Sequence, residues 1–388
     1  MRTDMEKNDK KDHLLKKRPS ALLSITPIIV LVVMLICTIR SFGSDSLGGA
    51  SQITLLTVSA FCVFVGMVFL HVPWSSFEKA ITKNVASVAS ALIILLFIGA
   101  LSGAWMVSGV VPALIYYGMQ IIHPDIFLAS ACVICALVSV MTGSSWTTIA
   151  TIGIALMGIG QAQGFGEGWI AGAIISGAYF GDKISPLSET TVLASGSMGV
   201  PLFQHIRYMV ITTLPSLLIA LVIFTLAGLL HTANDAEAIV TFTSALTERF
   251  HITPWLLAVP VLTGVMIARR WPSLVTLFLS TLLAVLLGLY FQPDVFGEID
   301  TDLFKAGMKS VYGSTSIHSD NAMLSSLVST RGMAGMMDTI WLIVCAMCFG
   351  GCMAAGGMVG GITRLFIHMV KGRTSLVAST AATGVMLN

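Results

Sequence analysis

Asp182 and Glu189 bracket a short stretch, Gly181-Asp182-Lys183-Ile184-Ser185-Pro186-Leu187-Ser188-Glu189-Thr190-Thr191, in which Ser185, Ser188, Thr190 and Thr191 add four hydroxyls. Carboxylate and hydroxyl oxygens are the donors that small hard cations prefer. Upstream, Ala171 to Tyr179 reads as a small-residue apolar helix, Gly181 suits a helix end, and Ser185-Pro186 suits the cap and first turn of a new helix. Two half-helices would then face each other, the first exposing partly negative carbonyls to which Asp182 adds a full charge. Burial raises the pKa of a carboxyl group and a nearby cation lowers it, so a metal ion and a proton can compete for one side chain. Lys183 either neutralises Asp182 in the empty site or snorkels outward. The plain alternative is an interfacial loop with a charge pair. The flanking apolar runs, Gly168 to Gly181 and Val192 to Gln204, are each shorter than a full crossing, the usual pointer to a transport site.

A second interruption lies earlier. Ile126 to Gly166 carries no charge and is about twice as long as one membrane crossing needs. Near its middle is Thr142-Gly143-Ser144-Ser145-Trp146-Thr147-Thr148. Gly and hydroxyl residues are poor helix formers, and hydroxyls can replace lost backbone hydrogen bonds. Non-helical backbone at membrane depth survives where it lines a cavity or is buried in protein. Thr142, Ser144 and Ser145 are therefore candidate partners of the first site, against a plain helix or a simple two-helix turn.

The elements that must hold these residues are transmembrane helices. Of 388 residues, 55% are hydrophobic and 10% are charged, against about a quarter charged in soluble domains. Ala21–Ile39, Ser46–Trp74, Val85–Ile122, Tyr208–Leu230, Ile252–Ala268, Trp271–Pro293 and Thr339–Thr363 contain no Asp, Glu, Lys or Arg, and runs of this kind read as spans. About twenty polar residues precede the first, which is not a cleaved signal peptide. The tail with Lys7, Lys10, Lys11, Lys16, Lys17 and Arg18 places the N-terminus on the cytoplasmic side of a multi-pass membrane protein. The net charge of +2 gives no reason to expect nucleic acid. The CxxC pairs Cys132/Cys135 and Cys345/Cys348 lie in uncharged helical runs without further ligands and read as packing residues. HExxH, Gly-x-Ser-x-Gly and phosphate-loop motifs are missing from the sequence, so an enzyme is not expected and a gradient is the energy source.

Leu96 to Leu114 resembles Val344 to Ile362, with Gly103 falling on Gly351 and Ser108-Gly109 on Gly356-Gly357. Loop charges send the early copy outward and the late copy inward, which is the mark of an inverted repeat. The expected fold is all-α: a polytopic membrane protein with inverted repeats and broken or re-entrant helices. A basic tail would span 1–20, a first repeat with the breaks 21–230, an external loop 231–253, and an incomplete second repeat 254–388.

The string Ile174-Ile175-Ser176-Gly177-Ala178-Tyr179-Phe180 leading into Gly181 to Thr191, and the Thr142 to Thr148 string, resemble the signature motifs of the NhaC family of Na⁺/H⁺ antiporters. Phe203 to Arg207 and the Met336-to-Gly351 span are similar too, so the resemblance covers most of the chain. The family pattern more often has Asp where Glu189 stands. The resemblance implies a secondary transporter exchanging Na⁺ for H⁺, without a cofactor, with Asp182 as shared site and Glu189 tuning or completing it. One branch couples both ions to malate and lactate, so exchange of small carboxylates is the first rival reading; a truncated, non-transporting membrane protein is the second. The lipid bilayer is the one obligatory partner, and a homo-oligomer is compatible with this plan. The position matching Thr142-Gly143 in the second repeat would fall just beyond Asn388, so a product of this length is expected to be poorly active alone. His205 and Arg207 could gate the cytoplasmic side or serve topology, and Asp338 could be functional or mark an outer helix end. Glu167 reads as a turn residue, and Gly313 to Asn321 as an outer loop or cavity lining.

Overall fold

The computed structural model describes residues 19–121, 123–186, 188, 190–191, 194–195, 200–230, 236–269, 271–317, 324–325 and 328–368. They are almost wholly helical; pairing of β type is confined, among them, to a bridge between Thr315 and Thr330. The chain divides into two compact units, 1–92 with 337–388, and 93–336.

The first unit holds α1 (Ala21–Phe42), α2 (Ala50–Leu70), α3 (Trp74–Ser87), α15 (Met337–Ala355) and α16 (Met358–His368). Its core gathers Cys62, Val65, Phe77, Cys352, Met353 and Met358. Glycine lets backbones approach: an added Cβ at Gly351 would stand 2.8 Å from Ile81 Cα. This small-residue contact is what packs helices in a medium where apolar surface gains nothing by hiding from lipid. Gln52 is fully buried, and its amide donates to the carbonyls of Leu47 (2.7 Å) and Asp338 (3.2 Å).

The second unit begins within α4 (Ala89–Val107) and continues through α5 (Val110–Ile121) and α6 (Phe127–Thr142). Helix α7 starts at Ser145–Thr148, passes through a π-helical turn, Ile149–Gly153, and resumes as Ile154–Ala162. Helices α8 (Glu167–Ile184), α9 (Leu202–Leu230), α10 (Ala236–Arg249), α11 (Ala258–Ala268), α12 (Ser273–Phe291), α13 (Pro293–Ile299) and α14 (Leu303–Tyr312) follow. The last of these is anchored outside the spans: Asp302 caps Phe304 N–H at 2.9 Å, and Lys309 reaches Asp300 at 2.7 Å. That ammonium hydrogen bond holds the Asp300 carboxyl below the usual carboxylate range.

Six helices among the described residues, α1, α2, α4, α9, α12 and α15 with its leading turn, are long and apolar enough to cross a membrane. Two bent pairs raise the number to as many as eight: α5 with Pro124–Val140, bent by 104°, and Thr241–Arg249 with Pro254–Ile267, bent by 88°. On α9, Ile211, Leu218, Val222 and Leu229 face outward, as a lipid-facing helix requires. The chain is thus a multi-span helical membrane protein.

Three expectations need adjustment. The run Val85–Ile122 is not one span but α4 and α5, parted at Ser108-Gly109, where Gly109 takes φ +80°. The run Ile252–Ala268 supplies the turn Pro254–Leu257 and the 11-residue α11, which reach the length of a span only together with Thr241–Arg249. The segment 231–253, expected as a loop, contains α10.

The two matched segments share one local backbone break. Ser108 N–H bonds Ala104 O and Gly109 N–H bonds Met106 O, while Ala113 N–H bonds Gly109 O. Gly356 to Cys352, Gly357 to Ala354 and Gly361 to Gly357 repeat the three bonds in the same register. Gly109 (φ +80°) and Gly357 (φ +65°) both adopt a conformation that side chains with a Cβ disfavour.

Candidate functional site

Helix α6 ends where the sequence predicts a break. Gly143 is left-handed (φ 67°, ψ 19°) and its N–H closes on Ser139 O at 2.9 Å. Ser144 is extended and caps α7, accepting from Thr147 N–H at 3.2 Å and from Thr147 Oγ1 at 3.1 Å. Thr148 donates to Ser144 O at 3.0 Å and Thr151 to Thr147 O at 2.8 Å. Hydroxyls thus satisfy the interrupted backbone, and Ser145, Thr147, Thr148 and Thr151 are buried.

The second break is displaced from its expected place. Helix α8 runs through Gly181, Asp182 and Lys183 and stops at Ser185, which is extended (φ −73°, ψ 128°). Gly181 does not end the helix because its missing side chain serves packing instead: an added Cβ would stand 2.6 Å from Ser139 Cβ and 2.8 Å from Val140 N. Gly177, one turn earlier, lies equally close to the backbone of Cys132, and Ser139 Oγ donates to Ala178 O at 2.6 Å. Ser185 Oγ donates to Val140 O at 2.7 Å. A seam of small residues and two hydroxyl bonds therefore binds α6 to α8, and Cys132 and Cys135 are buried there as packing groups.

This seam brings the two motifs together. Ser145 Oγ donates to Asp182 Oδ2 at 3.1 Å. Asp182 sits half-buried in the last turn of α8, where its charge adds to the negative end of the helix. Thr191 Oγ1 lies 3.3 Å from the carbonyls of both Asp182 and Lys183, covering oxygens that a helix end leaves open. Ser188 Oγ and Thr190 Oγ1 pair at 2.9 Å, and Thr191 N–H reaches Ser188 Oγ at 3.4 Å. Ser185, Ser188 and Thr191 are buried, Thr190 is exposed. The neighbourhood of Asp182 is thus made of carboxylate, hydroxyl and carbonyl oxygen.

Other predicted residues stand apart. Glu189 and the side chain of Thr142 lie outside the described residues, as do His318 to Asn321 of the polar loop. Lys183 is exposed and, among the described residues, no ion pair joins it to Asp182; it lines a separate recess of about 260 Å³ with Ser176, Tyr179 and Thr213. His205 and Arg207 occupy the first turns of α9, the former half-buried and the latter exposed. Asp338 belongs to the first unit, in the first turn of α15, where an acid suits the helix dipole. Glu167 is the first residue of α8 rather than a turn residue, and accepts a hydrogen bond from the Gln161 amide at 3.0 Å. Sequence reasoning passed over Arg331, which lines a cavity of about 660 Å³ together with Glu167 and the π-turn residues Ile149 and Gly153. Its only signal was a lone cation directly before Gly332 and an apolar span.

The sequence model of the Na⁺/H⁺ antiporter family matches residues 3–176 and 177–388. The malate-2H⁺/Na⁺-lactate antiporter of Bacillus subtilis (strain 168) is 34% identical over 336 residues, 86% of this chain and 70% of its own. The Na⁺/H⁺ antiporter NhaC of Alkalihalophilus pseudofirmus is 33% identical over 330 residues, 84% of this chain and 70% of its own. The arginine/ornithine antiporter ArcD of Halobacterium salinarum is 28% identical over 370 residues, covering 94% and 74%. No solved structure matches the chain.

Proposed function

Since the chain belongs to the Na⁺/H⁺ antiporter family and is a secondary transporter that exchanges Na⁺ for H⁺, we propose that Asp182 is the group the two ions share. The observation that carries this reading is the 3.1 Å hydrogen bond from Ser145 to Asp182, which joins the capped start of α7 to the carboxylate at the end of α8. A carboxylate binds a proton or a cation, and binding either one displaces the other. The hydroxyls of Ser145, Ser185, Ser188 and Thr191, with helix-end carbonyls, supply further oxygens for Na⁺. Site occupancy is then either Na⁺ or H⁺, and a protein that changes the side of access only when occupied exchanges one for the other. The protein sits in the bacterial inner membrane with its basic N-terminus in the cytoplasm, following its loop charges.

Competition has a direct signature. In everted vesicles carrying the protein, the Na⁺ concentration for half-maximal proton flux should rise as pH falls. An Na⁺ requirement independent of pH would refute a shared site.

Ser145→Ala removes one hydrogen bond to the carboxylate and one oxygen facing the ion, while Ser144 still caps the helix. The expected result is a rise of roughly tenfold in the half-saturating Na⁺ concentration, in line with a charge-assisted hydrogen bond of about 1.5 kcal/mol. Measurement of flux against Na⁺ checks it.

Exchange of an organic solute along with the ions is a second reading. It is favoured by one observation, the large cavity beside Arg331, which exceeds what a bare ion needs.

A further inference from the structure

We propose that the cavity of about 660 Å³ in the second unit is a binding site for a small zwitterion of the amino-acid type, its carboxylate held by Arg331 and its ammonium by Glu167. The proposal rests on the secondary-transport reading above and adds a substrate class to it.

Size comes first. A volume of about 660 Å³ falls within the range of roughly 300–1,000 Å³ typical of sites for small organic ligands. An ion site of a few oxygens needs nothing of the kind. The composition of the wall comes second. Met106, Met157, Ile154 and Ile174 supply apolar surface, while Ser102, Thr330, Arg331 and Glu167 supply polar groups. Few polar groups in an apolar wall are the pattern that orients a small ligand. Charge comes third. The lining holds one guanidinium and one carboxylate, carried by different elements: Arg331 precedes the turn Gly332–Met336, and Glu167 opens α8. A guanidinium fork matches a carboxylate in shape and charge. The Glu167 carboxylate, already oriented by Gln161, attracts an ammonium and repels a second carboxylate. A dicarboxylate would meet that repulsion, and a simple hydroxy acid would leave the attraction of Glu167 unused.

Position comes last. The wall uses Ala171, Ile174 and Ile175 of α8 and Ile149 and Gly153 of α7, the same two helices that carry Asp182 and Ser145. Ile175 and Asp182 are two helical turns apart, about 10 Å along the axis. The π-helical turn itself lines the cavity, and such turns widen a helix at functional sites. The segment carrying Arg331 is fixed by backbone packing: an added Cβ at Gly99 would stand 2.5 Å from Gly332 O, and Gly332 takes φ +53°.

The test is binding of radiolabelled solutes to the purified full chain, with neutral and basic amino acids, malate and lactate as separate arms. Saturable binding of an amino acid is expected, weakened about tenfold to a hundredfold by Arg331→Gln and by Glu167→Gln, the worth of one charge-assisted contact. Arg331→Lys, which keeps the charge and loses the fork, should fall between. Saturable binding of malate or lactate in preference to amino acids overturns the zwitterion assignment. Binding unchanged by both substitutions, or seen with none of the solutes, overturns the site. Sodium-driven proton flux in vesicles without organic solute is recorded separately, so failure of the ion reading and failure of this site give different results. Protein recovery and thermal melting in detergent show that each variant is folded.

Discussion

Replacing Asp182 with Asn should reduce Na⁺-driven proton flux in everted vesicles by a hundredfold or more while the protein still inserts and accumulates. The amide keeps the size of the side chain and can still accept the hydrogen bond from Ser145. It can neither pair with Na⁺ nor carry a titratable proton. Removing one partner from a partly buried ion pair costs about 3 kcal/mol or more, which is roughly a hundredfold in affinity. Asp182→Glu retains the charge but pushes the carboxylate outward by a methylene from the end of α8, so partial activity with a raised Na⁺ requirement is expected. Full flux in the Asn variant would remove Asp182 from the mechanism, whatever else the site contains.

Gly177→Ala should have the second-largest effect, on stability as well as transport. Its new Cβ would overlap the carbonyl oxygen of Cys132 and come within 2.9 Å of the carbonyl carbon. Those are main-chain atoms of a packed helix and cannot rotate away as a side-chain tip would. Overpacking of this sort costs about 1–3 kcal/mol, and separating α6 from α8 also draws Asp182 away from Ser145. The expected outcome is a melting temperature several degrees lower in detergent, with weaker apparent Na⁺ binding. Gly168→Ala is the control, on the same helix but with open space around its added Cβ. It should be neutral or slightly stabilising, since alanine is the better helix former by about 0.5–1 kcal/mol. Equal behaviour of the two substitutions would show that the seam is not tight.

Much of this was legible in the sequence because a bilayer imposes few options. Charge-free runs of bilayer length read as spans, and a Gly-Ser break inside one must be buried or line a cavity, so the interruption at Gly143-Ser144 was readable. Gly181 misled for a physical reason. The same absent Cβ serves a helix end and a close helix contact, and only the partner helix tells the two apart; here Ser139 and Val140 of α6 occupy the space. The break at Ser108-Gly109 is hidden inside a run apolar enough to look like a single crossing, and its match to Gly356-Gly357 is the one sign of it. Arg331 could not be placed by pattern, because the other residues that line its cavity, Glu167 and the π-helical turn, are far away in sequence.

The π-helical turn at Ile149–Gly153 also sets an angular phase. It lies between Ser145, which faces Asp182, and Met157 and Gln161, which face the cavity. A single residue of α-helix advances about 100° in azimuth and 1.5 Å in height. Were this turn to rewind as ordinary α-helix, everything downstream of it would swing by about that angle relative to Ser145. The extra residue stored there is what lets one rod present its start to Asp182 and its far half to the larger hollow.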